Sequence, residues 1–358
     1  MARVNLAVVT TTVVLLGLSA GCSSRSREPA LVPPVVNAES SGTDPQPVVI
    51  PSGGGSLRGI VYANCSGSGT YDLASVDPST GAAGERRTFL IEGDESVAMD
   101  CNATVPGGFV KRQMFNRDFT RMAASITVGN DETHIGYVTL QRTMIDLTPL
   151  SRGYGGTRPD YVGGVFNPAD GRIWFESKTS LGSVDADAGP PSLKMSATDA
   201  FGSSLGDFRS LFWFSPDGKV PQGGFGFSAF SPDGKTQVEY SPSGFTIGPE
   251  IGEGTTTVSG PELCWPKQFV DDKRFLCLQA GGAHQVYLMT VSDDRKRLTQ
   301  KPLLPESDKT VSDVLPSPDA TAMAFVSDGM LYTVPLSGSE EPAQVGDGSS
   351  GSLLAWLP

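Results

Sequence analysis

Chemistry in this 358-residue chain rests first on five cysteines, Cys22, Cys65, Cys101, Cys264 and Cys277. Cys22 follows Ser19-Ala20-Gly21 at the end of an apolar run from Leu6 to Leu18, with Arg3 as the lone charge ahead of it. A short basic start, an apolar stretch and small residues before a cleavage point form the layout of a secretory signal. A plain transmembrane anchor is the alternative, because Val4 to Gly21 nearly suffices to span a bilayer. Export places the other four cysteines in an oxidising compartment, where an even number suits disulfides. Cys264 and Cys277 flank a segment that reads as a hairpin cornering near Asp271 and Asp272, so they can face each other across adjacent strands. Cys65 and Cys101 close Gly59 to Asn64 and Val97 to Asp100, which read as the opening strands of two consecutive units. We favour the pairs 65 with 101 and 264 with 277. Four-cysteine zinc and free buried thiols are the alternatives, although the close Cys-x-x-Cys pairs typical of zinc are missing.

The remaining chemical signals are thin. Serine catalysis needs a base, and the histidines are His134 and His284 alone. Gly202-Ser203-Ser204-Leu205-Gly206 has the letters of a nucleophile elbow without the strand before it and the helix after it that the elbow requires. A polar loop explains it. Asp185-Ala186-Asp187-Ala188-Gly189 opens like a calcium loop but lacks the later ligands and the closing Glu. Asn130-Asp131-Glu132 with His134 offers oxygen and nitrogen donors, and a solvated turn before a strand is the simpler reading. No catalytic residue, metal site or cofactor is assigned.

Other carboxylates belong to a repeated corner. Phe230-Ser231-Pro232-Asp233-Gly234-Lys235 and Phe214-Ser215-Pro216-Asp217-Gly218-Lys219 are intact copies; worn ones run through Phe115 to Asp118, Phe166 to Gly171, Phe269 to Lys273 and Leu315 to Asp319. Proline presets φ, aspartate bonds back to nearby backbone, and glycine takes positive φ, so each copy is a hairpin corner. Alternating β-favouring residues follow them. Asp118, Asp170, Asp233, Asp272 and Asp319 recur at 39 to 63 residues. A four-stranded propeller blade takes roughly 40 to 50. The copy at Asp217 is too close to the next to head a blade, and reads as a hairpin inside the long step.

Phe-Ser-Pro-Asp-Gly-Lys followed by an alternating strand resembles the repeat of TolB-type β-propellers, and Gln285 to Val291 looks like that family's third strand. The resemblance runs from about Ser56 to Pro358 and implies an all-β, six-bladed β-propeller, with seven blades as the alternative count. The blades fall at Ser56–Glu92, Val97–Leu150, Tyr161–Thr198, Phe208–Gly252, Gly260–Leu304 and Val311–Val345. Ser352 to Pro358 supplies a last strand that closes the ring, as propellers avoid an open sheet edge.

Leu18-Ser19-Ala20-Gly21-Cys22 resembles a bacterial lipobox, which implies signal cleavage after residue 21 and a diacylglycerol thioether on Cys22. Ser23 to Gly55, rich in Ser, Pro and Gly, reads as a tether with a reach of about 30 Å. Residues 22–55 would thus join the membrane to a propeller at 56–358. A net charge of −12 argues against nucleic acid and against docking on anionic lipid. Two function classes follow. The preferred one is a lipid-anchored extracytoplasmic module on the cell membrane that binds or scaffolds an envelope protein or glycan. The other is a lyase or hydrolase using carboxylates at the central channel, which would need acids and bases converging there.

Overall fold

The repeated corner is held by its serine as much as by its aspartate. In the computed structural model, Ser231 Oγ donates to Asp233 Oδ1 at 2.7 Å and accepts from the Thr236 amide at 2.9 Å. The Lys235 amide donates to the same Asp233 oxygen at 3.0 Å, and the Gly234 amide closes the turn on the Ser231 carbonyl at 2.9 Å. Gly234 has φ 70°. Ser317 and Asp319 repeat the arrangement, with Ala320 in the glycine's place at φ 58°. So do Ser292 and Asp294, a copy the sequence reading missed because only the serine and aspartate survive. In the copy at Phe269–Lys273 the turn is one residue shorter: Asp271, not the expected Asp272, accepts the Lys273 and Arg274 amides. Asp272 instead accepts the Asp233 amide at 3.1 Å, tying one corner to the next.

The structure describes residues 57–66, 69–98, 108–129, 132–149, 160–177, 180–187, 192–196, 212–218, 221–223, 228–249, 254–281, 284–307, 310–338, 340–347 and 351–358. Strands joined by turns are their dominant regular structure, with one short helix among them. Antiparallel strands β1 (Gly59–Ser66), β2 (Thr70–Val76) and β3 (Ala83–Leu90) form the first sheet. Next come β4 (Glu95–Ser96), β5 (Arg121–Val128), β6 (Glu132–Thr139) and β7 (Met144–Asp146), then β8 (Val162–Phe166), β9 (Ile173–Ser177), β10 (Ser180–Val184) and β11 (Ser192–Ser196). The pair β12 (Phe212–Phe214) and β13 (Pro221–Gly223) stands apart. It precedes β14 (Ser228–Phe230), β15 (Gln237–Ser241), β16 (Gly244–Gly248) and β17 (Thr256–Val258). Two more four-stranded sheets follow: β18 (Cys264–Phe269), β19 (Arg274–Gln279), β20 (Val286–Val291) and β21 (Leu298–Pro302); then β22 (Val311–Pro316), β23 (Ala322–Ser327), β24 (Met330–Pro335) and β25 (Ala343–Gly346).

The last strand, β26 (Ser352–Leu357), pairs antiparallel with β1, bringing Leu357 opposite Gly59 and Trp356 opposite Ile60. The final residues therefore complete the first sheet. Successive four-stranded antiparallel sheets, with each opening strand against that of a neighbour at β14, β18, β22 and β26, are the arrangement of propeller blades. Two expectations need correcting. The corner at Ser215–Gly218 does not lie inside the sheet that follows; it joins β12 to β13, a separate two-stranded sheet. The strand expected at Val97–Asp100 ends earlier, at Ser96, and Val97 and Ala98 lie outside it.

The core lies between sheets. Phe245, Phe269, Phe275, Val291 and the two cysteines Cys264 and Cys277 pack the β14–β17 sheet on the next. Leu288, Val314, Met323 and Phe325 fill the following interface, and Ile60, Leu315, Val326 and Leu353 the one that joins the last sheet to the first. Burying a side chain of this size contributes about 1.5 to 3 kcal/mol, and the alternation of inward and outward residues on each strand sets which ones are buried.

Candidate ligand-binding face

The second sheet departs from the regular pattern. Its opening strand is broken: β4 pairs Glu95 and Ser96 with Ile126 and Ser125, and the chain returns only at Phe115, which bridges Met122. Between these points the chain includes α1 (Gly108–Arg112), a single helical turn. It lies against β26 and touches β18 and β22, the opening strands of three other sheets. The middle of the strand array, expected to be a channel, is thus occupied by the chain itself.

Three side chains fasten this segment. Lys111, 5% exposed, donates from Nζ to Ser352 Oγ on β26 at 2.6 Å. Gln113 bridges to β12 through both amide atoms: Nε2 donates to the Phe214 carbonyl and Oε1 accepts the Phe214 amide, each at 2.8 Å. Its own carbonyl accepts the Phe166 amide from β8 at 2.6 Å. Arg112 reaches the carbonyls of Phe115, Asn116 and Arg117 at 2.8 to 2.9 Å, with its guanidinium 3.9 Å over the Phe119 ring. Burial pulls the Arg112 pKa down to about 10, against the opposing pull of Asp118.

The corner that follows has lost both Pro and Gly yet keeps its geometry. Asn116 stands where serine stands elsewhere, its Oδ1 accepting the Thr120 and Arg121 amides at 2.9 Å. Phe119 takes the glycine position at φ 56°, fully buried against Phe115. A left-handed conformation costs a non-glycine residue about 1 to 2 kcal/mol. Burial of the ring offsets it.

Beside this corner lies a cleft of about 780 Å³. Leu57, Phe119, Phe166 and Leu357 supply apolar floor, and Arg87, Arg117, Arg121, Asp118, Asp170, Asp185 and Asp187 supply charge. Most of these charges are committed. Arg121 pairs with Asp187 at 2.6 Å and lies 4.8 Å over the Tyr137 ring, and its pKa is raised chiefly by the hydrogen bond to Asp187. Arg87 pairs with Glu85 at 3.1 Å and also donates to the Asp118 carbonyl. Asp185 accepts the Asp187 amide at 2.9 Å and lies 3.9 Å from Arg172, so Asp185-Ala186-Asp187 serves as a turn. Arg117 is exposed, and its guanidinium has no partner among the described residues. The cleft therefore offers a mixed apolar and charged surface on which Arg117 is unpaired among the described residues, and its size suits a small ligand or a protruding side chain.

The other singled-out residues have structural surroundings. His134, 5% exposed, holds Asp146 at 2.7 Å through Nδ1, with Glu132 3.9 Å from Nε2; Asn130 and Asp131 lie outside the described residues. His284 Nδ1 faces the Leu304 carbonyl at 3.0 Å. Cys264 and Cys277 form a disulfide across β18 and β19, with Cα atoms 5.6 Å apart. They are not directly opposite, because Cys277 pairs with Pro266 and Cys264 with Gln279; the bond runs diagonally. Cys65 on β1 is also disulfide-bonded. Cys22, Cys101 and Gly202–Gly206 lie outside the described residues. Among the described carboxylates, Asp313 sits on the opening strand β22, and its oxygens accept the Val314 amide at 2.9 Å and the Leu353 amide at 3.0 Å, which is strand-fastening work.

Sequence reading missed Lys111 and Gln113 as central groups. The surplus of residues between Glu92 and Phe115, and a Lys-Arg-Gln run beside an apolar Phe-Val pair, were the available signal.

No family model matches the chain, and no curated protein matches it. Solved structures similar to it include a serine-to-alanine mutant of puromycin hydrolase complexed with PGG, at 14% identity over 63% of this chain, TM-score 0.34. This chain spans 37% of that hydrolase. A protein provisionally assigned as TolB from Agrobacterium tumefaciens matches at 15% identity over 68% of this chain and 82% of its own, TM-score 0.34. A eukaryotic initiation factor matches at 10% identity over 85% and 89%, TM-score 0.43. None reaches a TM-score of 0.5, so the reading of the site rests on the geometry above.

Proposed function

We propose that this protein is a binding module, a propeller held at the extracytoplasmic face of the cell membrane by a lipid on Cys22, with residues 23–55 as its tether. Its ring counts seven units on this reading, with β12–β13 as a blade reduced to two strands. Gln113 and Asn167 support that count, since Gln113 bonds Phe214 on β12 and Asn167 Nδ2 donates to the Gly218 carbonyl at 2.9 Å, stitching the pair to the third sheet. The occupant of the cleft beside Phe119 is an envelope protein or glycan.

The observation that carries the reading is the placement of Lys111, Arg112 and Gln113. A segment that fills the middle of the strand array and is fastened to β8, β12 and β26 turns the corners around it into a rigid platform. Such a surface loses little freedom on binding, which favours affinity. Export is the companion expectation of the four cysteines beyond Cys22.

The full chain, expressed with its native leader, is expected to carry diacylglycerol on Cys22 and to fractionate with membranes, both lost in Cys22→Ala. Immobilised, it is expected to retain a defined envelope component, and Arg117→Glu should abolish retention without lowering the melting temperature. Retention unaffected by Arg117→Glu would overturn the site. Reproducible turnover of that component, abolished by one cleft carboxylate variant, would replace the binding reading by an enzymatic one.

A further inference from the structure

A second concavity, of about 290 Å³, lies between the last two four-stranded sheets, at the strand ends opposite the Val270–Lys273 and Ser317–Ala320 corners. Its aromatic wall is Phe325 and Tyr332, a cross-strand pair stacked at 5.2 Å with ring planes 16° apart. Glu306 and Glu341 are exposed at its edge, and His284 lies 3.9 Å from Glu306. No lysine or arginine is among its lining residues within the described part of the chain. Neither the Tyr332 hydroxyl nor the Glu341 carboxylate has a hydrogen-bond partner among the described residues. Backbone positions are fixed: Gln285 Oε1 accepts the Val311 amide at 2.7 Å across the two sheets, so the walls are held at a set distance.

We infer that this pocket binds a small organic ammonium ion. A ring face attracts a cation through its quadrupole, and the attraction grows when the site is partly desolvated. Two carboxylates, with no lysine or arginine among the described lining residues, add a Coulomb term of the same sign. The apolar members, Leu304, Pro305, Val311 and Pro342, suit the methyl or methylene groups around the nitrogen. The volume matches a single headgroup rather than a chain segment. This site is separate from the cleft beside Phe119 and does not depend on it.

The test is an NMR titration of the full chain with choline and with the uncharged analogue in which carbon replaces the nitrogen. Choline is expected to shift resonances of residues lining the pocket and to bind about tenfold or more tightly than the neutral analogue. A Glu306→Gln, Glu341→Gln double variant with an unchanged melting temperature should lose that preference, and Tyr332→Leu should weaken choline binding. Equal binding of the two compounds, shifts confined to other parts of the chain, or a preference that survives in the double glutamine variant would each overturn the assignment.

Discussion

Lys111 and Ser352 are 241 residues apart in sequence and joined by a 2.6 Å hydrogen bond in the interior, from the helical turn α1 to the last strand β26. The bond ties the inserted segment to the strand that completes the first sheet. Ser352→Ala removes one acceptor from a buried ammonium and should lower stability by about 1 to 3 kcal/mol. Paired with Lys111→Met in a double-mutant cycle by urea unfolding, the coupling should be about 1 kcal/mol. Additive single effects would show the contact to be energetically idle.

The glycine position of the repeated corner provides a matched pair of tests. Ala320 pays for a left-handed φ without burying a large side chain, so Ala320→Gly should raise stability by about 0.5 to 1 kcal/mol. Gly234→Ala should do the reverse, because φ is 70° and the added carbon would stand 2.8 Å from Asp217 Oδ2. Thermal melts of the two variants are expected to move in opposite directions.

The corner aspartates predict an acid limb. Asp233, Asp294 and Asp319 are held below the usual carboxylate range, first by the serine hydroxyl each accepts, with the amide two residues on contributing at each corner. An unfolded aspartate titrates near about 3.9. The stabilisation is present above that value and is lost as pH falls through the lower folded values. Urea midpoints should therefore drop below about pH 4, and Asp233→Asn should flatten part of the slope.

Glu239 on β15 predicts the opposite sign. Burial raises its pKa, and no ion pair or hydrogen bond compensates it among the described residues. Stability should fall as pH rises through the raised value, since the native state then gives up a proton it had held more tightly than the unfolded chain. Glu239→Gln should remove that dependence and raise the neutral-pH melting temperature by up to about 2 °C, solvent screening keeping the effect small.

The Cys264–Cys277 bond closes a short loop inside the β18–β19 hairpin. Replacing both by serine should cost about 3 kcal/mol in the chain-entropy estimate, with a further loss because both cysteines are fully buried. Non-reducing peptide mapping should recover the linked pair from the wild type.

What was legible in the sequence was local. Ser-Pro-Asp-Gly dictates a corner from three or four neighbouring residues, so the hairpins at Ser231 and Ser317 were readable, and the apolar Ser352–Leu357 segment was readable as a strand. The cysteines at 264 and 277 were readable as a pair because a hairpin brings them together at short range. Their diagonal register was not, since it depends on an irregularity between Pro266 and Gln268. The two intact corners at Asp217 and Asp233 look alike in sequence; which sheet each joins is set by pairing partners across the fold, and that separated β12–β13 from β14–β17. The role of Lys111, Arg112 and Gln113 was decided by tertiary structure alone. Nothing in this short helical segment and the residue after it names the Ser352 hydroxyl or the Phe214 backbone, 241 and 101 residues away, as partners. A buried polar group must find such partners wherever the fold supplies them, and that supply is a property of the assembled sheets.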